Sequence, residues 1–426
     1  MFTPRNMRMT PMNNPVDNKK TIAVIGGGAA GMLAAGRAAS LGARVVVFEK
    51  NSRPGRKLRI TGKGRCNVIN NCTEEEFLAN IPRNPRFLYT ALSEFSPRDI
   101  MTFFEEIGVP LKTERGNRVF PQSDKAEDIV DALVHYVKKN GAVFRFSPVL
   151  DIKTDEEGKF GVYTADGCEK FDVVIIATGG LSYPLTGSDG DGYRFAESLG
   201  HRIVTPKGSL VPLEADRALC SSMMGLSLKN VEFTVKDEKG KKVFSEFGEM
   251  LFTHFGLSGP TVLSASAHLD FTKHKYTAYI DMKPALDEKT LDGRILSDFS
   301  KYSNRDVINS LDDLLPQKMI APMIKVSGID PRKKVNSVSK AERRALLESI
   351  KYFKISLTGT RPVKEAIITS GGVAVKEIVP GSMESKIVPG LYFAGEVIDC
   401  DGYTGGFNLG IAFSTAYVAG GAAAQD

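Results

Sequence analysis

Residues Thr21 to Gly31 read TIAVIGGGAAG, an apolar β run (Ile22–Ile25) leading directly into Gly26-x-Gly28-x-x-Gly31. A helix of small residues follows, AAGMLAAGRAASLG, and stops at Gly42. A second apolar strand, RVVVFEK, then ends on Glu49, eighteen residues beyond Gly31. A lone Gly-x-Gly-x-x-Gly is weak, but here strand, turn, helix, strand and acid occur in order. Gly26 permits the tight turn, Gly28 lets the backbone approach a pyrophosphate, and Gly31 lets helix and strand pack closely. The helix start at Ala29 and Ala30 offers unpaired N–H groups and a positive dipole end to the phosphates. Glu49 is suited to the hydroxyls of an adenosine ribose, and an acid there disfavours a 2′-phosphate. The plainer alternative, an Ala/Gly-rich packing turn, leaves the second strand and its acid unexplained. No second such motif occurs, so a reductase with two dinucleotide domains is not supported.

Composition bounds the rest. The chain has 426 residues, 42% hydrophobic and 25% charged, ordinary for a globular protein with room for two or three domains. Five cysteines, at 66, 72, 168, 220 and 400, show no Cys-x-x-Cys spacing. They argue for a reducing compartment and against a disulfide framework, a dithiol centre or a structural zinc site. A net charge of +6 is too mild to indicate nucleic acid or a membrane surface by itself. The first twenty residues hold no apolar stretch of signal-peptide type, and Leu409–Ala424 is broken by glycines, Ser414 and Thr415, so a cytoplasmic protein is expected.

Two further segments repeat the strand-then-glycine pattern. Residues 172–180, DVVIIATGG, form a continuous apolar run closing on Ala177-Thr178-Gly179-Gly180, as a parallel strand covered on both faces requires. Ahead of it, VFRFSPVLDI, which contains Val149, and KFGVYTADGCEKF alternate like strands of one meander. Near the C-terminus an apolar strand, Leu391–Ala394, ends on Gly395-Glu396, and a helix is expected to begin near Gly406 or Asn408. A strand end bearing an acid beside a helix N-terminus suits a ribityl chain and the electron-poor edge of an isoalloxazine. The two ends of the chain are thus expected to build one site, which favours FAD over NAD as the resident nucleotide.

With these segments in view, IGGGAAGMLAA, FEKNSRPGRKLRITGKGRCNVIN, ATGGLSYPLTGSDGDG, FTHFGLSGP, TSGGV and GLYFAGEVIDCDGYTGGFNLGIAFSTAYVAG together resemble the BaiN-like flavoproteins. This bacterial family includes aminoacetone-oxidase-like enzymes and is described as NAD(P)/FAD-dependent oxidoreductases. The resemblance runs from about residue 20 to the C-terminus. It implies an α/β architecture with bound FAD: a discontinuous Rossmann-like FAD-binding domain of the glutathione-reductase type, an inserted β-rich domain and a small helical domain. Sequence texture divides accordingly into a flexible leader (1–19), the FAD-binding domain (20–205 with 366–426), the β-rich substrate domain (206–284 with 352–365) and the helical domain (285–351). Expected cofactor contacts are Gly26, Gly28, Ala29, Ala30, Gly31, Glu49 and Lys50 from the first unit. Val149, Ala177, Thr178, Gly179 and Gly180 are expected from the middle of the chain. Gly395, Glu396, Gly405, Gly406, Asn408 and Leu409 are expected from its end.

The stretch Arg59–Asn70, RITGKGRCNVIN, invites three other readings. It fails as a phosphate loop, because five residues before Gly62 stands Lys57 rather than glycine, and Lys63 is followed by Gly64. The cations Arg53, Arg56, Lys57, Arg59, Lys63 and Arg65 have no aromatic among them, which weighs against nucleic acid. Cys66 has no nearby second cysteine and is read as a packed thiol. The segment is therefore expected to be a flap over FAD, with Arg56, Lys57, Gly62, Lys63, Gly64, Arg65, Cys66 and Asn67 near the cofactor.

Candidates for chemistry beyond the flavin are His254, Tyr183 and Tyr403, as proton donors or substrate contacts. Asp189, Asp191, Asp399 and Asp401 have no interleaved histidine, and no metal is expected. The expected activity is hydride transfer between flavin and a small organic substrate. By resemblance this is reduction of an enone-type double bond, with NAD(P)H as a transient electron donor. Oxidation of an amine by O₂, modification of tRNA, and non-catalytic flavin binding are the alternatives. Oligomeric state is not legible in the sequence.

Overall fold

The computed structural model describes residues 19–425, so the expected leader lies, but for Lys19, outside the described residues. Strand β1 (Thr21–Ile25) is the centre of a five-stranded parallel sheet. On one side it pairs with β2 (Arg44–Phe48) and then Val143–Arg145; on the other with Val173–Ile176 and then Leu391–Phe393. The strands β1 and Val173–Ile176 are almost wholly buried, which is why they read as unbroken apolar runs rather than alternating ones.

Helix α1 (Ala29–Ser40) crosses between β1 and β2 and packs against the C-terminal helix Phe407–Gln425. The small residues have a reason. A methyl group added at Gly420 meets the Ala34 carbonyl oxygen at 2.4 Å, and one at Gly36 meets the Tyr136 ring at 2.3 Å. Larger side chains would push α1 away from the C-terminal helix at Gly420 and from Tyr136 at Gly36, and open the core.

After Gly200 the chain leaves this layer through Ile203–Ser209 and returns through Ile368–Val373, and these two segments pair antiparallel as a ribbon. Between them lies a closed six-stranded barrel. Its order is Leu213–Ala215, Gly256–Ser258, Lys242–Phe252, Ser227–Asp237, Tyr276–Asp281 and Phe353–Thr360. Tyr276–Asp281 and the first part of Phe353–Thr360 alternate between inward and outward residues with period two. Helices Glu288–Lys301, Gln317–Ser327 and Lys340–Lys351 complete a second apolar core, separate from that of the parallel sheet.

The α/β class and its parallel sheet are as expected. One grouping differs. VFRFSPVLDI does not belong to one meander: Val143–Arg145 joins the parallel sheet, whereas Val149–Thr154 pairs with Phe160–Thr164 in a separate three-stranded sheet. Pro148 separates the two pieces and lets the chain change layer. Among the described residues no helix is long and apolar enough to cross a membrane.

Candidate active site

An elongated cavity opens at the carboxyl ends of β1, Val173–Ile176 and Leu391–Phe393, where ligands of such sheets collect. Gly26, Gly28, Ala29, Ala30, Glu49, Lys50, Arg56, Lys57, Val149, Ala177, Thr178, Gly179, Glu396, Asn408 and Leu409 line it, so residues some 380 positions apart converge. The sequence reading missed several lining residues: Asn51, Thr61, Ser147, Ser188, Ile367 and Ile368. Asn51 lies two residues past the expected acid, and Ile367–Ile368 lead into the TSGGV motif. Ser188 falls inside the ATGGLSYPLTGSDGDG motif, whereas Ser147 carried no signal.

The glycine turn behaves differently at each position. A methyl group at Gly26, where φ is +106°, meets the Ala177 carbonyl oxygen at 2.6 Å, and one at Gly31 meets the Gly26 oxygen at 1.8 Å. Both glycines serve protein packing. At Gly28 the same methyl group meets nothing within 4 Å: the space it points into is the cavity. Gly28 caps α1 without any side-chain hydrogen bond, so the first N–H groups of the helix have no side-chain acceptor. The Thr178 hydroxyl, also in the wall, is buried without a partner. An open cradle and an uncapped helix start fit the pyrophosphate of FAD.

Glu49 holds the turn in place. Its carboxylate accepts from the Gly27 N–H at 2.9 Å and from the Asn51 N–H and side-chain amide at 2.7 and 2.6 Å, which ties the glycine turn to the end of β2. Lys50 bridges Asp189 and Asp191 at 2.5 and 2.9 Å. Burial opposes the charge of Lys50, but the two carboxylates more than offset it and hold its pKa above the ordinary value. For Asp191 burial likewise acts upward, and the Lys50 ammonium overrides it to keep the carboxyl below the usual range.

At the other end stands a tighter network. The Lys57 ammonium donates to Ser182 Oγ at 2.7 Å and to Glu396 Oε2; Ser182 Oγ donates to Glu396 Oε1 at 2.9 Å. The backbone N–H of Thr369, on the ribbon, donates to the same Oε1 at 2.9 Å. The Thr369 hydroxyl oxygen accepts from Leu181 and Ser182 N–H, closing the cluster. The Tyr183 ring lies 5.9 Å from the Lys57 nitrogen.

The remaining expected residues are not all brought to this cavity. Gly31 lies inside α1, and Gly180 and Gly395 pack behind the wall against Thr369 and Ala30. Gly405 and Gly406 pack on Asn70 and Ile69. In the 59–70 stretch only Thr61 lines the cavity. Gly62, Lys63 and Gly64 form a left-handed turn beside it, and Lys63 projects to the surface. Arg65 turns to the neighbouring hairpin, held by Asp124 at 2.7 Å and by Glu114, over the Phe120 ring at 4.0 Å. Cys66 is fully buried and burial pushes its thiol up to about 12, so it stays protonated at neutral pH; Asn67 lies next to it, its side-chain oxygen buried without a partner.

The three catalytic candidates do not converge. Tyr183 stands by Lys57. Tyr403 bonds His268 of the barrel side at 2.5 Å, a histidine the sequence reading passed over. Burial, reinforced by Glu246, raises the Tyr403 phenol. His254 is exposed on a barrel loop, edge-on to Phe255.

Fold and cavity together define the class, an FAD-dependent oxidoreductase built on a Rossmann sheet. The chain belongs to the family described as HI0933-like protein Rossmann domain, which matches residues 20–422. The resemblance read from the motifs is borne out at that level. The chain is 33% identical over 413 residues to the ribosomal RNA dihydrouridine synthase of Escherichia coli (strain K12), covering 95% of this chain and 96% of that one. It is 29% identical over 413 residues to the 3-dehydro-bile acid delta(4,6)-reductase of Clostridium scindens, covering 95% and 99%. Among solved structures, the 3-ketosteroid-delta4-(5alpha)-dehydrogenase of Rhodococcus jostii RHA1 shares the fold at a TM-score of 0.51 and 16% identity, over 98% of this chain and 99% of that one.

Proposed function

We propose that this protein reduces a carbon–carbon double bond conjugated to a carbonyl, and that its substrate is a uridine of ribosomal RNA. The observation that carries the reading is full-length likeness both to a ribosomal RNA dihydrouridine synthase and to a bile acid reductase. The reactions those names describe share one step. The C5=C6 bond of uracil is conjugated to its C4 carbonyl as a steroid Δ4 bond is to its 3-oxo group. Saturating either takes a hydride at the β-carbon and a proton at the α-carbon.

FAD bound in the cavity supplies the hydride, and NAD(P)H is its proposed electron donor. The Gly26–Ala30 turn with the start of α1 would hold its pyrophosphate, Glu49 its ribose, and Thr178 and Asn408 would line its path. Lys57, held by Ser182 and Glu396, is the candidate hydrogen-bond donor to the enolate oxygen that develops on the substrate carbonyl. Tyr183, beside it, is the candidate proton donor to the α-carbon. Such a substrate implies a cytoplasmic enzyme.

The test is to quantify dihydrouridine in ribosomal RNA by mass spectrometry from cells with and without the gene. Loss on deletion and return on complementation is expected; an unchanged level sinks the uridine assignment. Purified enzyme reduced anaerobically by simple amines but not by NADH or NADPH sinks the reductase reading altogether. A Glu49→Ala variant is expected to weaken FAD about 10- to 100-fold in titration. It should also melt earlier, because Gly27 and Asn51 lose their acceptor at a cost of roughly 1–3 kcal/mol.

A further inference from the structure

A second concavity of about 740 Å³ adjoins the cavity, and Arg56 and Thr186 line both. Its walls come from three distant segments: Arg53–Ile60, the turn Tyr183–Thr186, and Lys364–Glu365 at the return from the barrel. Charge is distributed unevenly there. Most nearby cations are already neutralised: Lys57 by Glu396, Arg59 by Glu127, Arg361 by Glu214 and Glu365. Among the described residues Arg53 and Lys364 are exposed and have no carboxylate within ion-pair distance, and Arg56 bonds only the side-chain oxygen of Asn51, at 2.8 Å. The one acid in the groove, Glu365, is held in a two-point pair by Arg361 at 2.8 and 3.0 Å. Three cations of the groove thus lack an ion pair, and because the single Arg361 faces both Glu214 and Glu365, the local excess is two positive charges.

Beside them lie apolar faces that folding has not covered. Leu185 is 88% exposed, Ile60 47% and Tyr183 37%. The basic run Arg53–Arg65 contains no aromatic in sequence, and on that ground it looked unsuited to nucleic acid. Folding supplies the missing ring from more than a hundred residues away. Cations for phosphates next to flat apolar surface for bases is the pattern of a single-stranded nucleic acid groove.

We infer that this groove, from Arg53 and Lys364 across Tyr183 and Leu185, is where the RNA strand flanking the target uridine docks. The inference rests on the uridine reading above and adds where the RNA enters. Arg53, Arg56 and Lys364 take backbone phosphates, and Tyr183, Leu185 and Ile60 take unstacked bases. A base must leave its stack before an enzyme can work on its ring, and the groove reaches the Lys57–Glu396 end of the cavity at Tyr183, so an extruded uracil passes there.

The test uses the FAD-loaded full chain and a fluorescein-labelled twelve-residue oligouridylate, read by anisotropy across salt concentrations. Arg53→Glu/Lys364→Glu is compared with wild type and with Lys241→Glu/Lys242→Glu, a control with the same charge change on a barrel hairpin. The groove variant is expected to keep its flavin absorbance and bind more than about tenfold more weakly at low salt. Its salt slope should be shallower by about 1.4, two single-strand phosphate contacts at ~0.7 each. Equal binding by variant and wild type, equal loss in the control, or no binding by wild type each overturns the groove. Complementation separates the two claims. If wild type and groove variant restore ribosomal dihydrouridine equally, the groove is wrong and the uridine reading stands; if wild type restores none, the reading itself has failed.

Discussion

Gly28→Ala is expected to leave the apoprotein melting at the wild-type temperature while FAD affinity falls at least about 100-fold. The backbone of Gly28 is extended, with φ −81° and ψ −169°, which alanine adopts without strain. Its new methyl group touches no protein atom within 4 Å. It enters the space before the uncapped start of α1, where a pyrophosphate must come within hydrogen-bond distance of the N–H groups. Gly31→Ala is the contrasting variant. There the methyl group lies 1.8 Å from the Gly26 oxygen, so turn and helix must separate, and a loss of roughly 3 kcal/mol or more is expected even without cofactor. Thermal melting of the apoproteins and FAD titration by flavin fluorescence decide the matter. Tight FAD binding by Gly28→Ala would remove the pyrophosphate from this turn.

The second large effect is expected at the Lys57–Glu396 pair. Its side chains are 22% and 12% exposed, and Glu396 is further bonded by Ser182 and Thr369. Lys57→Met strands a carboxylate in a mostly dry site. A destabilisation of about 2 kcal/mol is expected, below the range for fully buried pairs because some solvent reaches the site. The turnover rate should fall about 10²- to 10³-fold, the usual scale for a lost group that stabilises developing charge. Adding Glu396→Gln removes the stranded charge, so Lys57→Met/Glu396→Gln is expected to regain most of the melting temperature and none of the rate. If the rate returns with stability, Lys57 only supports the fold.

Much of the parallel sheet was legible because its code is local. In TIAVIGGGAAG the strand, turn and helix start are neighbours, and each glycine answers to an atom a few residues away or to the adjoining strand. The barrel was legible only in part. Tyr276–Asp281 and Phe353–Thr360 carry the period of two, but closure depends on Leu213–Ala215 and Gly256–Ser258, three-residue strands too short to show a period. RITGKGRCNVIN misled for a different reason. Its arginines look alike in sequence, yet Arg59 and Arg65 are neutralised by Glu127, Glu114 and Asp124, dozens of residues downstream. Only three-dimensional pairing separates these from bare Arg53 and Arg56. Similarly, Tyr403 was singled out while its partner His268 passed unnoticed, since nothing local links them.

The antiparallel ribbon also bears on how the chain reaches this structure. Val173–Ile176 must find Leu391–Phe393 across more than two hundred residues, a slow search for a parallel pairing. Because Ser209 and Ile368 are direct partners, the long excursion begins and ends at one point. Once the ribbon has formed, the loop still to be closed is roughly fourfold shorter, which lowers the entropic cost of joining the last strand by about 1 kcal/mol. The expected order is ribbon first and edge strand last; pulse-labelled amide exchange during refolding should show Ile203–Ser209 protected before Leu391–Phe393.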